Sequence, residues 1–257
     1  MRKKVICNFH GTLFSDTHAG SSWKYVGFEA LKHAAKNPLR WPRAAELTIA
    51  AGKLYPLVSS YERGEIEYDK IYEFFNENVL SGIPTEVVKG YLREYARLPK
   101  TQGKVDSRAV EALHSAFNSG FPEGALQCAI LSTGCSYTIR HIIDAYTRHP
   151  SLFGEIAAND LSGQNGGTRF NLDIYTPEQR RDALQWLLPI DSGVSTFYVG
   201  NEEDELPCMD EVVDAGGRAV SSFMASDGFK QTLATRYGSK SFVPEHEADF
   251  LNLLRKA

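Results

Sequence analysis

Long apolar runs are missing from this sequence. No stretch of the 257 residues approaches the ~18 uninterrupted apolar positions of a membrane-crossing helix, so no membrane span is expected. Cysteine is scarce: Cys7, Cys128, Cys135 and Cys208 form no CxxC pair, and two of them lie inside apolar strand-like runs. Reduced, buried thiols and a cytoplasmic location are the expectation, in place of a disulfide framework. Neither sign of charge dominates, with 28 Lys and Arg against 32 Asp and Glu and a formal net charge of -4. Bulk attraction to nucleic acid or to an anionic membrane is thereby excluded, leaving only local basic sites. Internal repeats and low-complexity segments are absent. The basic start, Met-Arg-Lys-Lys-Val-Ile-Cys-Asn, carries an apolar run too short for a secretory leader. A chain that is 42% hydrophobic can bury a sizeable core, in one domain or in a core plus an insert.

What is present is punctuated. Lys4-Val5-Ile6-Cys7 is a short apolar run that meets Asn8-Phe9-His10-Gly11-Thr12-Leu13 at once, as a buried parallel strand meets its loop. Similar runs are Ala129-Ile130-Leu131 before Ser132-Thr133-Gly134, Thr196-Phe197-Tyr198-Val199 before Gly200-Asn201, and Arg218-Ala219-Val220. Helical spacing separates them, as at Val110, Leu113 and Phe117. Thr176-Pro177-Glu178-Gln179 has the form of a capping box with Pro in the first turn. Alternation from about residue 105 onward predicts an α/β fold, a doubly wound, mostly parallel Rossmann-like sheet.

Residues from about 18 to 99 read as helical throughout. Ile71, Phe74, Phe75 and Val79 form one stripe; Val87, Val88, Tyr91, Leu92 and Tyr95 form another. Gly82-Ile83-Pro84-Thr85 divides them, with Thr85 the expected N-cap, and Pro42 and Pro56 punctuate the earlier half. The expected organisation is a core of residues 1–17 and 100–257, with an all-helical insert of about four helices, residues 18–99, after the first strand. Gly163, Gly166 and Gly167 predict a hairpin with a glycine-rich tip.

Three strand ends finish in polar or small residues: Asn8, His10 and Thr12; Ser132, Thr133 and Gly134; Asn201, Asp204 and Glu205. A parallel sheet gathers such loops at one edge, beside Arg180 in the first turns of a helix. Hydroxyls, loop amides and a guanidinium there make an anion site.

These motifs resemble the haloacid dehalogenase superfamily, in its phosphoserine-phosphatase-like branch with a helical cap. The likeness spans nearly the whole chain. Asn8-Phe9-His10-Gly11-Thr12-Leu13 stands where the family has Asp-x-Asp-Gly-Thr-Leu, and Ile130-Leu131-Ser132 matches its second motif. Arg180, four residues before Leu184, takes the place of the family Lys. Gly200-Asn201-Glu202-Glu203-Asp204-Glu205-Leu206-Pro207 matches Gly-Asp-Ser-x-x-Asp-Leu-Pro. Glu62-Arg63-Gly64-Glu65-Ile66 and Leu80-Ser81-Gly82 resemble that branch's cap.

The resemblance implies catalytic positions at Asn8, His10, Ser132 and Arg180. It implies ligand-binding positions at Phe9, Gly11, Thr12, Thr133, Gly134 and Asn201, and a family Mg²⁺ at Asn8, Asn201 and Glu205. The residues alter that chemistry. Asn8 cannot form the aspartyl-phosphate that an Asp nucleophile forms, His10 replaces the proton-donating Asp, and Asn8 and Asn201 each remove a carboxylate that a hard cation wants. With Mg²⁺ the family set retains one negative charge. Asn8, neutral His10, Asn201, Glu205 and Arg180 balance to zero without a metal, so no cofactor is expected.

The expected function is therefore phosphatase-like binding of a phosphorylated or anionic small molecule, with metal-dependent phosphoryl transfer lost. Two rivals stand beside it: a hydrolase of altered chemistry with His10 as acid/base, and a non-catalytic protein-interaction scaffold. Plainer roles also stand for single residues. His10 serves as a partner for a neighbouring carbonyl, Ser132 as a helix cap, Arg180 as a solvated helix residue, and Glu202 to Glu205 as a solvated charge run. His18 alone of the remaining histidines is placed to face the site.

Overall fold

In a computed structural model, the described residues are 2–15, 20–63, 65–118, 125–147, 152–164, 166–189 and 193–256. His18 lies outside them. The apolar run at the start becomes strand β1 (Arg2–Asn8), buried on both faces. Helices α1 (Gly20–Ala35), α2 (Trp41–Glu62), α3 (Tyr68–Phe75) and α4 (Thr85–Arg97) follow, with one π-helical turn at Asn76–Leu80. After them come the single turn α5 (Pro99–Gln102), α6 (Ser107–Asn118), β2 (Leu126–Cys135), α7 (Ser136–Thr147) and β3 (Phe153–Asn159). A hairpin of β4 (Leu161–Gln164) and β5 (Gly167–Phe170) precedes α8 (Pro177–Leu187). The chain ends with β6 (Val194–Gly200), α9 (Leu206–Asp214), β7 (Arg218–Ser221), α10 (Asp227–Tyr237), β8 (Ser241–Phe242) and α11 (Glu247–Lys256). No helix among the described residues is long and apolar enough to cross a membrane.

The main sheet has six strands in the order β3-β2-β1-β6-β7-β8, and every pairing is parallel. Strand order reverses between β1 and β6, the position where open α/β sheets place their ligand crevice. Alternate residues of β1 feed two cores. Val5 and Cys7 pack with α6, α7 and α11 through Leu113, Ile139 and Leu254. Ile6 packs with α8, α9 and α10 through Leu184, Met209 and Phe229. Lys3 and Lys4 are also buried, which the sequence pattern did not foretell. Lys3 donates to the carbonyl of Leu254, and Lys4 reaches Glu155 at 2.5 Å, so each buried ammonium has a partner.

The helices between β1 and α5 form a third core around Trp23, Tyr72 and Phe75, and Phe170 of β5 joins it. Trp23 and Phe170 ring centroids are 4.8 Å apart. Asn76 in the π turn donates to the Phe170 carbonyl (2.9 Å) and accepts from its N–H (2.8 Å), as a strand partner would. Gly167 sits where a Cβ would lie 2.5 Å from the Gly82 nitrogen, so only glycine lets the hairpin approach. The helical layer is thus completed by a hairpin from the later half of the chain. Arg93 of α4 donates to the Tyr137 hydroxyl at 2.6 Å, fixing this layer to the start of α7.

Two local expectations are corrected. Pro84 occupies the N-cap of α4, and Thr85 is its first helical residue; the Thr85 hydroxyl is met by that of Thr168 at 3.3 Å. Pro56 does not punctuate a helix, because α2 runs through it to Glu62. The proline removes the hydrogen bond to the Gly52 carbonyl, and that turn is exposed, so water satisfies the freed group. The capping box at Thr176 and Gln179 is present as read: Thr176 accepts from Gln179 N at 3.2 Å.

Candidate functional site

The carboxyl ends of β1, β2 and β6 meet at one edge of the sheet. Asn8 closes β1 and is buried. Its Oδ1 accepts from the Phe9 N–H at 2.8 Å, which fixes the orientation of the amide. The Nδ2 is thereby turned toward oxygens, donating to the His10 carbonyl at 2.8 Å and to Asn201 Oδ1 at 3.3 Å. Thr12 Oγ1 donates to the same Asn201 oxygen at 3.0 Å. One amide therefore ties the first loop to the end of β6, across the point where strand order reverses. Gly11, at φ 72°, makes this fit possible; a Cβ there would lie 2.3 Å from Asn201 Nδ2.

Ser132 and Gly134 lie on the last residues of β2. Ser132 is fully buried, and its Oγ accepts from the Gly134 N–H at 3.0 Å. The His10 ring covers Gly134, since a Cβ on Gly134 would stand 2.7 Å from His10 Nε2. Phe9 and Phe14 hold that ring by edge contacts, with centroids 5.2 and 6.0 Å away. The Thr133 carbonyl accepts from Asn159 Nδ2 at 2.8 Å. Asn159 also clasps Ile174 through the Ile174 carbonyl (2.9 Å) and N–H (2.7 Å), and so holds the segment entering α8 against β2. Nothing in the sequence marked Asn159.

Arg180 is buried in the first turns of α8 and donates to Asp204. Burial alone opposes its charge, but the Asp204 carboxylate, with Tyr198 and Glu205 nearby, outweighs burial and keeps the guanidinium protonated beyond its usual range. Arg180 is thus no solvated helix residue. Its Nε has no partner among the described residues, and no hydrogen bond joins it to Ser132. Asp204, inside what reads as a charge run, is a specific partner.

Glu205 is also no surface residue. It is completely buried, with Oε2 accepting from the N–H groups of Asn201 (2.6 Å) and Glu202 (3.3 Å). Burial pushes its carboxyl up to about 8 despite the Asn201 hydrogen bond. Burial, and then the nearby Glu202 and Asp204 carboxylates, raise the Tyr61 hydroxyl near the end of α2 above its ordinary range.

The three residues in the family's metal positions do not fit Mg²⁺. A hard divalent ion wants anionic or carbonyl oxygens facing it. Here an amide N–H₂ stands between the His10 carbonyl and Asn201 Oδ1 and hydrogen-bonds to both, and Glu205 holds its proton near neutral pH. Among the described residues no group of three His, Cys, Asp or Glu side chains is placed to hold a metal.

A six-stranded parallel sheet whose strand order reverses between β1 and β6, with helices inserted after the first strand, defines a doubly wound α/β architecture. No family model and no curated protein matches the sequence. Solved structures resemble its fold. A phosphoserine phosphohydrolase-like protein from Francisella tularensis subsp. tularensis SCHU S4 superposes with a TM-score of 0.50 at 13% identity, over 98% of this chain and 99% of that one. Cytosolic 5'-nucleotidase IIIB bound to cytidine gives 0.53 at 12%, over 99% and 86%. A haloacid dehalogenase-like hydrolase from Burkholderia xenovorans LB400 gives 0.53 at 11%, over 98% and 97%. The chain has the haloacid dehalogenase fold.

Proposed function

We propose that this protein binds a phosphorylated or otherwise anionic small molecule at the strand ends beneath its helices, and does not carry out Mg²⁺-dependent phosphoryl transfer. The observation that carries the reading is the Asn8 amide. Its two donated hydrogen bonds take the place of a bridging cation, and a neutral side chain stands where a nucleophilic carboxylate is needed. The donors left over are cationic or neutral. Arg180 keeps an unpartnered Nε, and the Ser132 hydroxyl accepts from Gly134 while its own proton has no acceptor among the described residues. A guanidinium and a hydroxyl at one sheet edge favour an oxyanion. Asn8, His10, Ser132 and Arg180 are the residues assigned to this site, with Phe9, Gly11, Thr12, Thr133, Gly134 and Asn201 as its walls.

In this reading residues 1–17 and 100–257 form the binding core and residues 18–99 the cap that sets specificity. Four buried, unpaired thiols support a reducing compartment, the cytoplasm. Calorimetric titration with inorganic phosphate and a panel of phosphomonoesters, with and without Mg²⁺, tests the proposal. Binding is expected to be Mg²⁺-independent and lost in Arg180→Gln. Robust monoester turnover by the unmodified protein that vanishes in His10→Ala would replace this reading with the hydrolase of altered chemistry.

A further inference from the structure

The helical layer contains a cavity of a character different from the sheet-edge site. Helices α1 and α2 face each other across about 400 Å³ of space, closed from below by Phe75 and Val79. On α1 the lining positions Trp23, Gly27 and Leu31 recur every four residues, and α2 turns a matching apolar stripe toward them. Two such faces ordinarily interdigitate to the density of an organic crystal. Here small residues, Gly27 and Ala51, stand where large ones would close the gap. A Cβ on Gly27 would be 3.9 Å from Phe75 and from Val79, ordinary contact distance, so the described residues leave unfilled a space that they have the means to fill.

The wall is mainly apolar; its side-chain polar groups are those of Lys24, Tyr55, Ser59 and Trp23, whose Nε1–H is buried without a partner among the described residues. Lys24 and Ser59 stand on its rim, and Lys24 makes no ion pair among the described residues. Phe28 and Tyr55, both mainly exposed, flank the opening as apolar lips. Water in a chamber so poor in polar partners is unfavourable, since a buried water needs two to four of them. An apolar chain gains about fourfold in affinity for each methylene it buries. An unpaired ammonium and a hydroxyl at the mouth recognise an anionic head.

We propose that this cavity binds a single-chain amphiphile with a carboxylate head, the acyl tail lying between α1 and α2 and the carboxylate at Lys24 and Ser59. The site is separate from the anion site at the sheet edge and does not depend on it. Trp23, buried in the wall, supplies the reporter.

The test uses the full chain with Trp41→Phe and Trp186→Phe, both exposed positions, so that Trp23 alone fluoresces. Brominated dodecanoate, below its micellar concentration, is expected to quench Trp23 saturably with one site per chain. Straight-chain carboxylates from octanoate upward should compete, tightening about fourfold per methylene until the cavity is full. Gly27→Leu, a helix-favouring change that fills the space, should abolish quenching while leaving the circular dichroism and melting temperature intact. Lys24→Gln should weaken dodecanoate at least fivefold and leave dodecanol unchanged. Absence of saturable quenching, undiminished quenching in a folded Gly27→Leu variant, or equal affinity for dodecyltrimethylammonium would each overturn the proposal. So would a stable dimer of this chain that excludes dodecanoate, because the apolar lips would then belong to an interface between copies.

Discussion

Replacing Asn8 by aspartate is a change of one atom, nitrogen for oxygen, and its cost follows from what that nitrogen does. It donates to the His10 carbonyl at 2.8 Å and to Asn201 Oδ1 at 3.3 Å. In Asn8→Asp both acceptors lose this donor and face a carboxylate oxygen, within a residue that is 5% exposed. Losing the donor to the His10 carbonyl costs about 1–3 kcal/mol, and Asn201 Oδ1, which keeps the Thr12 hydroxyl at 3.0 Å, adds repulsion at the low end of that range. A net loss of about 2–4 kcal/mol is expected, a fall in melting temperature on the order of 10 °C for a domain of this size. The variant has one escape, which is to protonate the new carboxyl. Its folded pKa is then raised above the unfolded value. The stability it retains is present at acid pH and is lost as pH rises toward neutrality. Melting curves of both proteins in chelator, at acid and at neutral pH, measure this directly. Mg²⁺ should leave the unmodified protein unchanged. It should stabilise the triple variant Asn8→Asp, His10→Asp, Asn201→Asp by about 1.4 kcal/mol at ten times its dissociation constant. Equal melting of Asn8→Asp and the unmodified protein at neutral pH, or stabilisation of the latter by Mg²⁺, would refute the amide clasp.

Two further predictions come from the same edge of the sheet. A double-mutant cycle of Arg180→Gln and Asp204→Asn should give a coupling of about 1–2 kcal/mol, discounted because the Asp204 side chain is 45% exposed; a coupling near zero by denaturant titration would mean that the pair is incidental. Gly11→Ala should cost about 2–4 kcal/mol, combining left-handed strain with displacement of Asn201, whereas Gly82→Ala at a similar φ of 76° and with nothing near its Cβ should cost only the strain, about 1 kcal/mol. Equal losses in the two variants would show that Asn201 yields freely.

Strands β1, β2, β6 and β7 were legible because buried parallel strands leave continuous apolar runs that end abruptly in polar residues; the edge strands β3 and β8, and the order of strands in the sheet, were not. Asn8, Ser132 and Asn201 could be placed at one edge before any coordinate was known. The hairpin tip was legible from its glycines and the start of α8 from its capping box. What the pattern did not carry was pairing. That Phe9 N–H is consumed by Asn8 and Gly134 N–H by Ser132 depends on side-chain rotamers that spacing does not fix, and the Arg180–Asp204 pair on the approach of two separate segments. Nor does periodicity reveal that β5 packs with the helices through Phe170, since a single buried Phe on a short strand looks the same wherever it points. Pro56 misled for a related reason: the rule that proline ends helices assumes that the freed carbonyl stays dry, and at Gly52 it faces water.

Glu205 offers the sharpest test of how the site is charged. An exposed reading of Glu202 to Glu205 predicts four ordinary carboxylates, whereas Glu205 is fully buried and its carboxyl is pushed from 4.5 up to about 8. Desolvation is the main cause, and Asp204 and Glu202 add repulsion; the Asn201 N–H and Arg180 pull the other way without prevailing. The folded state therefore holds a proton that the unfolded state has released. Stability from this group is complete below about 4.5 and is lost as pH rises through about 8. Within that window the slope is at most about -1.4 kcal/mol per pH unit. Glu205→Gln keeps a carbonyl oxygen for the Asn201 N–H and removes the titration, so its stability should be flat over the same range and should overtake the unmodified protein on the alkaline side. Urea unfolding of both proteins across the window reads the difference between them, which cancels every other titrating group. A difference that does not change with pH would mean that Glu205 is ionised in the folded protein, and the edge of the sheet would then carry a negative charge that Arg180 must neutralise before any anion can bind.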